Sequence, residues 1–200
     1  MRKIFYLLAF LFVGCSMNTG VDICRIHHRN KLEAFSKDTN TYTTVFMGDS
    51  ITEGGAFESV ISNSKNVGIG GDRIYNTEDV IPYVVKYNPQ KIYLLIGINS
   101  LFYYSAEESK EQYSHLIEKM VTAFPNTQII VETVLPTVKR NPKISVFNDY
   151  VKQVAQSYDL GVLDLYSLYE VNGCLPYELS YDGTHLTQEG YSTWYNELTR

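Results

Sequence analysis

Residues 43–52 read TTVFMGDSIT, and this stretch decides the predicted fold. Its first half is β-branched and aromatic, which predicts a strand that ends at Gly48. Asp49 and Ser50 follow directly, so a serine hydroxyl is expected on the tight turn from that strand into a helix. The first N–H groups of a helix have no acceptor within the helix, so this turn also offers hydrogen-bond donors.

Apolar runs of this kind alternate with helical patterns along the chain. Further strands are predicted within residues 66–71, 91–96, 128–134 and 162–165. Helices are predicted at residues 22–37, 56–62, 74–87, 106–124, 143–158 and 187–198. Strands that are apolar on both faces are typical of a parallel sheet covered by helices on each side. We therefore predict an α/β fold over residues 41–200, a three-layer α/β/α sandwich with about five parallel strands.

Composition excludes several classes of protein. Hydrophobic residues make up 44% of the 200 residues and charged residues 20%, which is incompatible with a disordered chain. The net charge of −5 argues against a nucleic-acid partner, because such proteins usually carry a basic face. No cluster of Cys and His indicates a metal, and no cofactor is expected.

The N-terminus is predicted to be an export signal at residues 1–15, followed by a leader segment with a helix at residues 16–40. Arg2 and Lys3 precede an apolar run that is shorter than the about 20 residues a membrane-spanning helix needs. Gly14 and Cys15 then resemble a bacterial lipobox, in which the Cys is lipidated and becomes the mature N-terminus. The alternative is an ordinary cleaved signal. Either signal predicts an exported, periplasmic or cell-envelope protein, which contacts the membrane only through a lipid on Cys15.

Export also bears on the two remaining cysteines, because exported proteins fold in an oxidising compartment. Cys24 and Cys174 are an even pair and could form a disulfide between the leader segment and the C-terminal region. The alternative is two separate buried thiols.

Polar and glycine-rich motifs follow the predicted strands, where ligands bind in parallel α/β sheets. Beyond Ser50, they are Gly68-Ile69-Gly70-Gly71-Asp72, Gly97-Ile98-Asn99-Ser100 and, before the last helix, Asp182-Gly183-Thr184-His185. Each motif alone is weakly specific, but all of them occur in order at the expected edge of the sheet. Together they resemble the SGNH (GDSL-type) hydrolase family of esterases and lipases over roughly residues 40–200, whose fold agrees with the one predicted above.

The resemblance implies a role for each matching residue. Ser50 matches the family nucleophile, and Asp182 and His185 match the other members of a catalytic triad. The backbone N–H groups of Ser50 and Gly71 and the side-chain amide of Asn99 match the family's oxyanion hole. One position departs from the pattern, because Ser100 stands where the family usually has Asp.

The chemistry fits these residue types. A serine hydroxyl is a poor nucleophile until a base takes its proton, and an imidazole titrates near the working pH. His185 is therefore the expected base. Asp182 is placed to bind the other ring nitrogen and to select the useful tautomer.

Substrate contacts are less clearly indicated. Arg73 could touch a polar substrate, although a surface salt bridge is the expected role. Tyr103 and Tyr104 follow the Asn99 motif, where aromatic rings could stack on a sugar or line an acyl groove. With 17 Tyr in the chain, chance placement is the alternative.

The other histidines are expected to be structural or solvated. His27 and His28 lie in the charged leader helix, and both are predicted to face solvent. His115 is predicted to lie on the surface of a helix. Asp49 is expected to support the turn at Ser50 through backbone hydrogen bonds.

The expected substrate is a small acyl ester, with an O-acetyl group on a carbohydrate or cell-envelope glycan as the first choice. A lysophospholipase or thioesterase that acts on longer acyl chains is the alternative. A third hypothesis, from another class, is a catalytically inactive glycan-binding protein on the same fold.

Overall fold

A computed structural model describes residues 17–200, with side chains from residue 22 onward. The predicted signal and the predicted lipidation site at Cys15 lie outside the described residues. Within the described part of the chain, no helix has the length and apolar character needed to span a membrane.

The centre of the fold is a five-stranded sheet in which every pair of neighbouring strands is parallel. The strands are β1 (Thr44–Gly48), β2 (Ser64–Asn66), β3 (Lys91–Leu95), β4 (Gln128–Glu132) and β5 (Gly161–Leu163). Their spatial order is β2-β1-β3-β4-β5. Helices cover the sheet, so the predicted α/β/α sandwich is confirmed.

The helices connect these strands in chain order. They are α1 (Met17–Lys37), α2 (Ser50–Glu53), α3 (Ile74–Thr77), α4 (Ile81–Tyr87), α5 (Ile98–Tyr103), α6 (Ala106–Ala123), α7 (Pro142–Ser157), α8 (Leu165–Tyr169) and α9 (Gln188–Leu198). The long helices match the predicted ones to within a few residues.

Two predicted helices differ from the structure. The helix predicted at residues 74–87 is divided into α3, a 3₁₀ turn at Glu78–Val80 and α4. Pro82 lies in the first turn of α4, where its missing N–H breaks no helical hydrogen bond. The helix predicted at residues 56–62 is only a 3₁₀ turn at Phe57–Ser59.

Aromatic side chains join the sheet to the helices on one face. Phe46 of β1 stacks between Phe57 and Tyr93, with ring centroids 4.1 and 5.0 Å away. Trp194 of α9 packs edge-on against Phe57 at 4.9 Å. The helix α1 also belongs to the core, because its Phe35 side chain is only 4% exposed.

The sheet has a topological switch at β1, because the chain moves to β2 on one side and to β3 on the other. Loops that leave β1, β2 and β3 therefore diverge from neighbouring strand ends, which creates a crevice beyond the sheet. The motifs that follow these three strands meet at this crevice.

Candidate active site

Ser50 is the first residue of α2, directly after β1. As predicted, Asp49 supports this turn: its Oδ1 accepts a hydrogen bond from the Ile51 N–H at 3.0 Å. Gly48 lets the strand end approach its neighbours closely, since a Cβ there would lie 2.2 Å from the Leu95 carbonyl oxygen. The turn thus presents the Ser50 hydroxyl at the end of a tightly packed strand.

The structure brings Ser50, His185 and Asp182 into one hydrogen-bonded chain. Ser50 Oγ lies 2.8 Å from His185 Nε2, and His185 Nδ1 lies 2.5 Å from Asp182 Oδ2. A carboxylate only accepts hydrogen bonds, so Nδ1 carries the proton and Nε2 of the neutral ring is the acceptor for the serine hydroxyl. The arrangement can remove a proton from Ser50.

Asp182 is held by its own loop. Its Oδ1 accepts hydrogen bonds from the backbone N–H groups of Thr184 and His185, at 3.0 and 2.8 Å. Burial raises the pKa of Asp182, but these hydrogen bonds and the His185 ring outweigh burial, so the pKa lies below its usual value. The carboxylate is therefore ionised at neutral pH.

Gly71 lies in a tight turn in which the Asp72 N–H donates to the Ile69 carbonyl at 3.1 Å. The φ angle of Gly71 is +83°, as the third residue of a type II turn requires. A Cβ at this position would also lie 2.7 Å from Cys24 Sγ. Only glycine therefore fits at this position.

Asn99 faces the same crevice from the start of α5. Its Nδ2 donates a hydrogen bond to the Asp72 carbonyl at 2.9 Å. An amide group carries two N–H bonds, so this contact fixes the amide and leaves the second N–H for another acceptor. Ser50, Gly71 and Asn99 are thus placed by the ends of β1, β2 and β3.

Ser100, the position that departs from the family pattern, has a defined structural role. Its side chain is completely buried, and its Oγ accepts a hydrogen bond from the Ile74 N–H at 3.0 Å. This bond joins α5, which carries Asn99, to the start of α3, which follows Gly71. A neutral hydroxyl therefore provides a fixed link between these two segments.

Two buried carboxyl groups lie behind the site. Burial raises the pKa of Asp49 to about 7, and the charge of Asp72 adds to the increase, while the Ile51 hydrogen bond opposes it. Burial also raises the pKa of Asp72, although the contact with His28 offsets part of this increase.

Arg73 and the two tyrosines form one cluster at the edge of the crevice. The Arg73 guanidinium lies over the Tyr103 ring at 4.1 Å, and its Nη1 donates to the Tyr104 hydroxyl at 3.1 Å. The predicted surface salt bridge of Arg73 is wrong. Its guanidinium stacks on an aromatic face instead, where the flat cation interacts favourably with the ring.

The prediction that His27 and His28 face solvent is also wrong. His27 Nε2 lies 2.9 Å from Glu53 Oε2, and His28 Nδ1 lies 2.8 Å from Asp72 Oδ1. The hydrogen bond to Asp72 raises the pKa of His28, against the opposing effect of burial. The face of α1 that carries both histidines packs against the site. The charged composition of this helix had instead predicted that the face is exposed to solvent.

His115 is on the surface as predicted. Its side chain is 60% exposed, and its Nδ1 lies 2.9 Å from Glu78 Oε1.

Tyr181 lies beside His185, although the sequence motifs did not indicate it. Its ring stacks on His185 with centroids 5.8 Å apart, and the residue is 62% exposed. Because Tyr181 directly precedes Asp182 in the sequence, its place near His185 could have been predicted.

Cys24 and Cys174 are not joined by a disulfide. The two residues belong to separate parts of the fold. Cys24 lies on α1 against Gly71, whereas Cys174 exchanges backbone hydrogen bonds with Val171 in a turn at residues 171–174.

Among the residues that the structure describes, no group of three or more His, Cys, Asp or Glu could hold a metal ion.

Sequence comparison places this site in a known class. The sequence model of the GDSL-like Lipase/Acylhydrolase family matches residues 46–192, and the chain belongs to that family. The match includes Ser50, Gly71, Asn99, Asp182 and His185.

Individual relatives are distant. A GDSL-like lipase from Bacteroides thetaiotaomicron VPI-5482 has a similar structure, with a TM-score of 0.70, 19% identity, and coverage of 86% of this chain and 95% of that one. An acetylxylan esterase from Geobacillus stearothermophilus gives a TM-score of 0.62 with 19% identity, over 81% of this chain and 94% of that one.

One curated relative is also similar in sequence. It is an N-acylneuraminate cytidylyltransferase from Streptococcus agalactiae serotype V, 27% identical over 150 residues, which is 72% of this chain. The chain spans about a third of that relative's length, 35%.

Proposed function

We propose that this protein is a serine esterase that hydrolyses small acyl esters, with O-acetyl groups on carbohydrate as the preferred substrate. The observation that carries the proposal is the contact of Ser50 Oγ with His185 Nε2 at 2.8 Å, in a ring whose Nδ1 is bound by Asp182. This is the geometry that nucleophilic ester hydrolysis requires.

In the acylation step, His185 Nε2 takes the hydroxyl proton while Ser50 Oγ bonds to the ester carbonyl carbon. The negative charge that develops on the carbonyl oxygen is stabilised by the N–H groups of Ser50 and Gly71 and by the amide of Asn99. The protonated His185 then donates its proton to the leaving alcohol as the ester C–O bond breaks. Asp182 stabilises the imidazolium through Nδ1.

The deacylation step repeats this sequence with water. His185 takes a proton from a water molecule whose oxygen attacks the acyl-enzyme carbonyl. The oxyanion donors stabilise the second tetrahedral intermediate. Its collapse releases the carboxylic acid and returns the proton to Ser50 Oγ.

The rim of the site supports a carbohydrate-linked substrate. Arg73 on Tyr103 lies at one edge, and the exposed ring of Tyr181 lies beside His185. Flat aromatic faces and a guanidinium suit the apolar faces and hydroxyls of sugar rings. The acetylxylan esterase named above shares the fold and supports the same choice. We also propose that the protein is exported and that a lipid on Cys15 anchors it to the membrane.

The experiment is hydrolysis of p-nitrophenyl esters from acetate to palmitate, with Ser50→Ala alongside. We expect acetate to be cleaved fastest, and Ser50→Ala to lower kcat by at least about 10⁴-fold. Release of acetate from acetylated xylo-oligosaccharides then tests the sugar-linked ester directly.

Other outcomes contradict the proposal. A preference for long chains would indicate a lysophospholipase or thioesterase, because each buried CH₂ would then contribute about 0.8 kcal/mol. Equal rates for the wild type and Ser50→Ala on every ester would indicate a binding protein.

A further inference from the structure

One face of α1 is directed at the candidate oxyanion hole. Cys24, His27, His28 and Lys31 lie on this face, at the spacing that places helix residues side by side. A helix that packs on a domain usually presents an apolar stripe there. The polar stripe of α1 makes specific hydrogen bonds and ion pairs to the active-site loops.

The first of these contacts centres on Glu53, the last residue of the helix that begins at Ser50. His27 Nε2 lies 2.9 Å from Glu53 Oε2, and Lys31 Nζ lies 3.1 Å from Glu53 Oε1. Glu53 Oε2 also accepts the Gly70 N–H at 2.6 Å. His27 and Lys31 of α1 thus hold the carboxylate that joins α2 to the turn containing Gly71.

The second contact is between His28 and Asp72. His28 Nδ1 lies 2.8 Å from Asp72 Oδ1, and His28 Nε2 lies 3.3 Å from Asp79 Oδ2. The Asp72 carbonyl accepts the Asn99 amide at 2.9 Å. Because Asp72 also follows Gly71 in the chain, its position controls two of the three oxyanion donors.

The Asp72 carboxylate needs a partner where it lies. The residue is only 3% exposed, and leaving one member of a buried ion pair alone is strongly unfavourable. Without His28, the carboxylate would therefore move toward water or bind a proton. Either change would displace Gly71, Asn99 or both.

We propose that His28 is a positioning residue of the catalytic centre, which holds Gly71 and Asn99 in place through Asp72. His27 supports the same turn through Glu53. His28 does not touch the substrate. The inference rests on the proposed esterase function, since it assigns His28 to the oxyanion hole of that reaction.

The test is a double-mutant cycle measured with p-nitrophenyl acetate. His28→Ala is expected to lower kcat roughly 10- to 100-fold with little change in KM, because a donor displaced by about 1 Å loses much of its effect. Asn99→Ala alone is expected to cost about 10²–10³-fold. In the His28→Ala background it should cost at least about tenfold less, because the donor is already displaced. His28→Asn, which keeps an N–H near the Nδ1 position, should recover most of kcat.

Two control variants separate positioning from folding. His115→Ala breaks a surface histidine–glutamate pair whose contact of 2.9 Å is close to the 2.8 Å between His28 and Asp72. Phe35→Ala loosens the packing of α1 while leaving its polar stripe intact. Both should keep kcat within about twofold below their melting temperatures. If His28→Ala behaves like these controls, or if Asn99→Ala costs the same in both backgrounds, the proposal is overturned.

A substrate-free measurement keeps the inference testable if the esterase proposal fails. In ¹⁵N NMR spectra, His28→Ala should shift or broaden the Gly71 amide and the Asn99 side-chain amide, whereas His115→Ala should change neither. Absence of Ser50-dependent hydrolysis would refute the esterase proposal. Unchanged Gly71 and Asn99 signals in His28→Ala would refute the role of His28.

Discussion

Ser100 Oγ accepts the backbone N–H of Ile74 at 3.0 Å, in a completely buried position where α5 meets the start of α3. Ser100 follows Asn99 in α5, and Ile74 begins α3 three residues after Gly71. A single neutral hydrogen bond therefore ties together the segments that carry Gly71 and Asn99, two of the proposed oxyanion donors, at the position where an acidic residue is usual in the family.

Ser100→Ala should lower both stability and activity. The Ile74 N–H would be left buried without an acceptor, which costs about 1–3 kcal/mol in the free energy of unfolding. The looser contact between α5 and the start of α3 should also lower kcat. Urea denaturation and p-nitrophenyl acetate kinetics measure the two effects.

Ser109→Ala is the matched control for that substitution. Ser109 is equally buried, but its hydroxyl donates to the Ser105 carbonyl, which already accepts the Ser109 N–H at 3.1 Å. Its loss leaves no backbone group unsatisfied, so kcat should not change. If Ser100→Ala were no more destabilising than Ser109→Ala, the link between α5 and α3 would be unimportant.

Asp182→Asn should lower kcat by about 10³–10⁴-fold without unfolding the protein. An asparagine Oδ1 can still accept the Thr184 and His185 backbone N–H groups, so the loop is retained. The amide NH₂ that replaces Asp182 Oδ2 is neutral, so the side chain no longer stabilises an imidazolium at His185 Nδ1. Steady-state kinetics and a thermal melt check both expectations.

The exposed Asp149 of α7 provides the control for this change. Asp149→Asn removes the same charge from the exposed surface of α7 and should leave kcat unaltered. A kcat of Asp182→Asn within about tenfold of the wild-type value would contradict the assigned role of the carboxylate.

The sheet and the meeting of the site motifs were predictable from the sequence because both rest on local patterns. Strands buried on both faces read as apolar runs, and the carboxyl ends of parallel strands share one edge. Ser50, Gly71 and Asn99 therefore had to approach each other once the strand order placed β1 between β2 and β3. The helix that follows Ser50 was predicted and is α2, whereas the short helices α5 and α8 were missed because a few residues carry no helical periodicity.

The contacts of α1 were not predictable because they depend on how distant elements pack. His28 and Asp72 are 44 residues apart, and nothing local to either one indicates the other. Charged residues on a helix usually face solvent, so the polar stripe concealed a buried interface. Arg73 was misjudged for a related reason, because its partner Tyr103 lies on α5, which follows another strand.

Gly71→Ala should lower kcat by at least about 10²-fold. An alanine is strained at a φ of +83°, and its Cβ would lie 2.7 Å from Cys24 Sγ, so the turn must shift and take its N–H away from the carbonyl oxygen. Adding Cys24→Ala removes the sulfur contact but not the backbone strain. The double variant should therefore recover part of kcat in p-nitrophenyl acetate assays.

Gly173→Ala separates backbone strain from the effect on the site. Gly173 has a φ of +78°, and its nearest neighbour is the flexible side chain of Arg140. Its replacement should cost about 1–2 kcal/mol in stability and leave kcat unchanged. Full activity in Gly71→Ala would exclude the Gly71 N–H from the oxyanion hole.

Glu132 is a buried acid in the core between β4 and α9. Its Oε1 accepts a hydrogen bond from Trp194 Nε1 at 2.9 Å. Burial raises the pKa of Glu132 from 4.5 to about 8, although the Trp194 hydrogen bond opposes the increase. The folded protein therefore keeps this carboxyl protonated at pH values where the unfolded chain has lost the proton.

Glu132→Gln should become more stable than the wild type as the pH rises. Between pH 4.5 and about 8, unfolding releases the Glu132 proton, so the wild-type free energy of unfolding falls by up to about 1.4 kcal/mol per pH unit from this group. Glutamine has no such proton and can still accept the Trp194 N–H. Urea denaturation should give a stability difference that grows with pH until about 8 and is then constant. A flat difference for Glu132→Gln would mean that the buried carboxyl is ionised throughout.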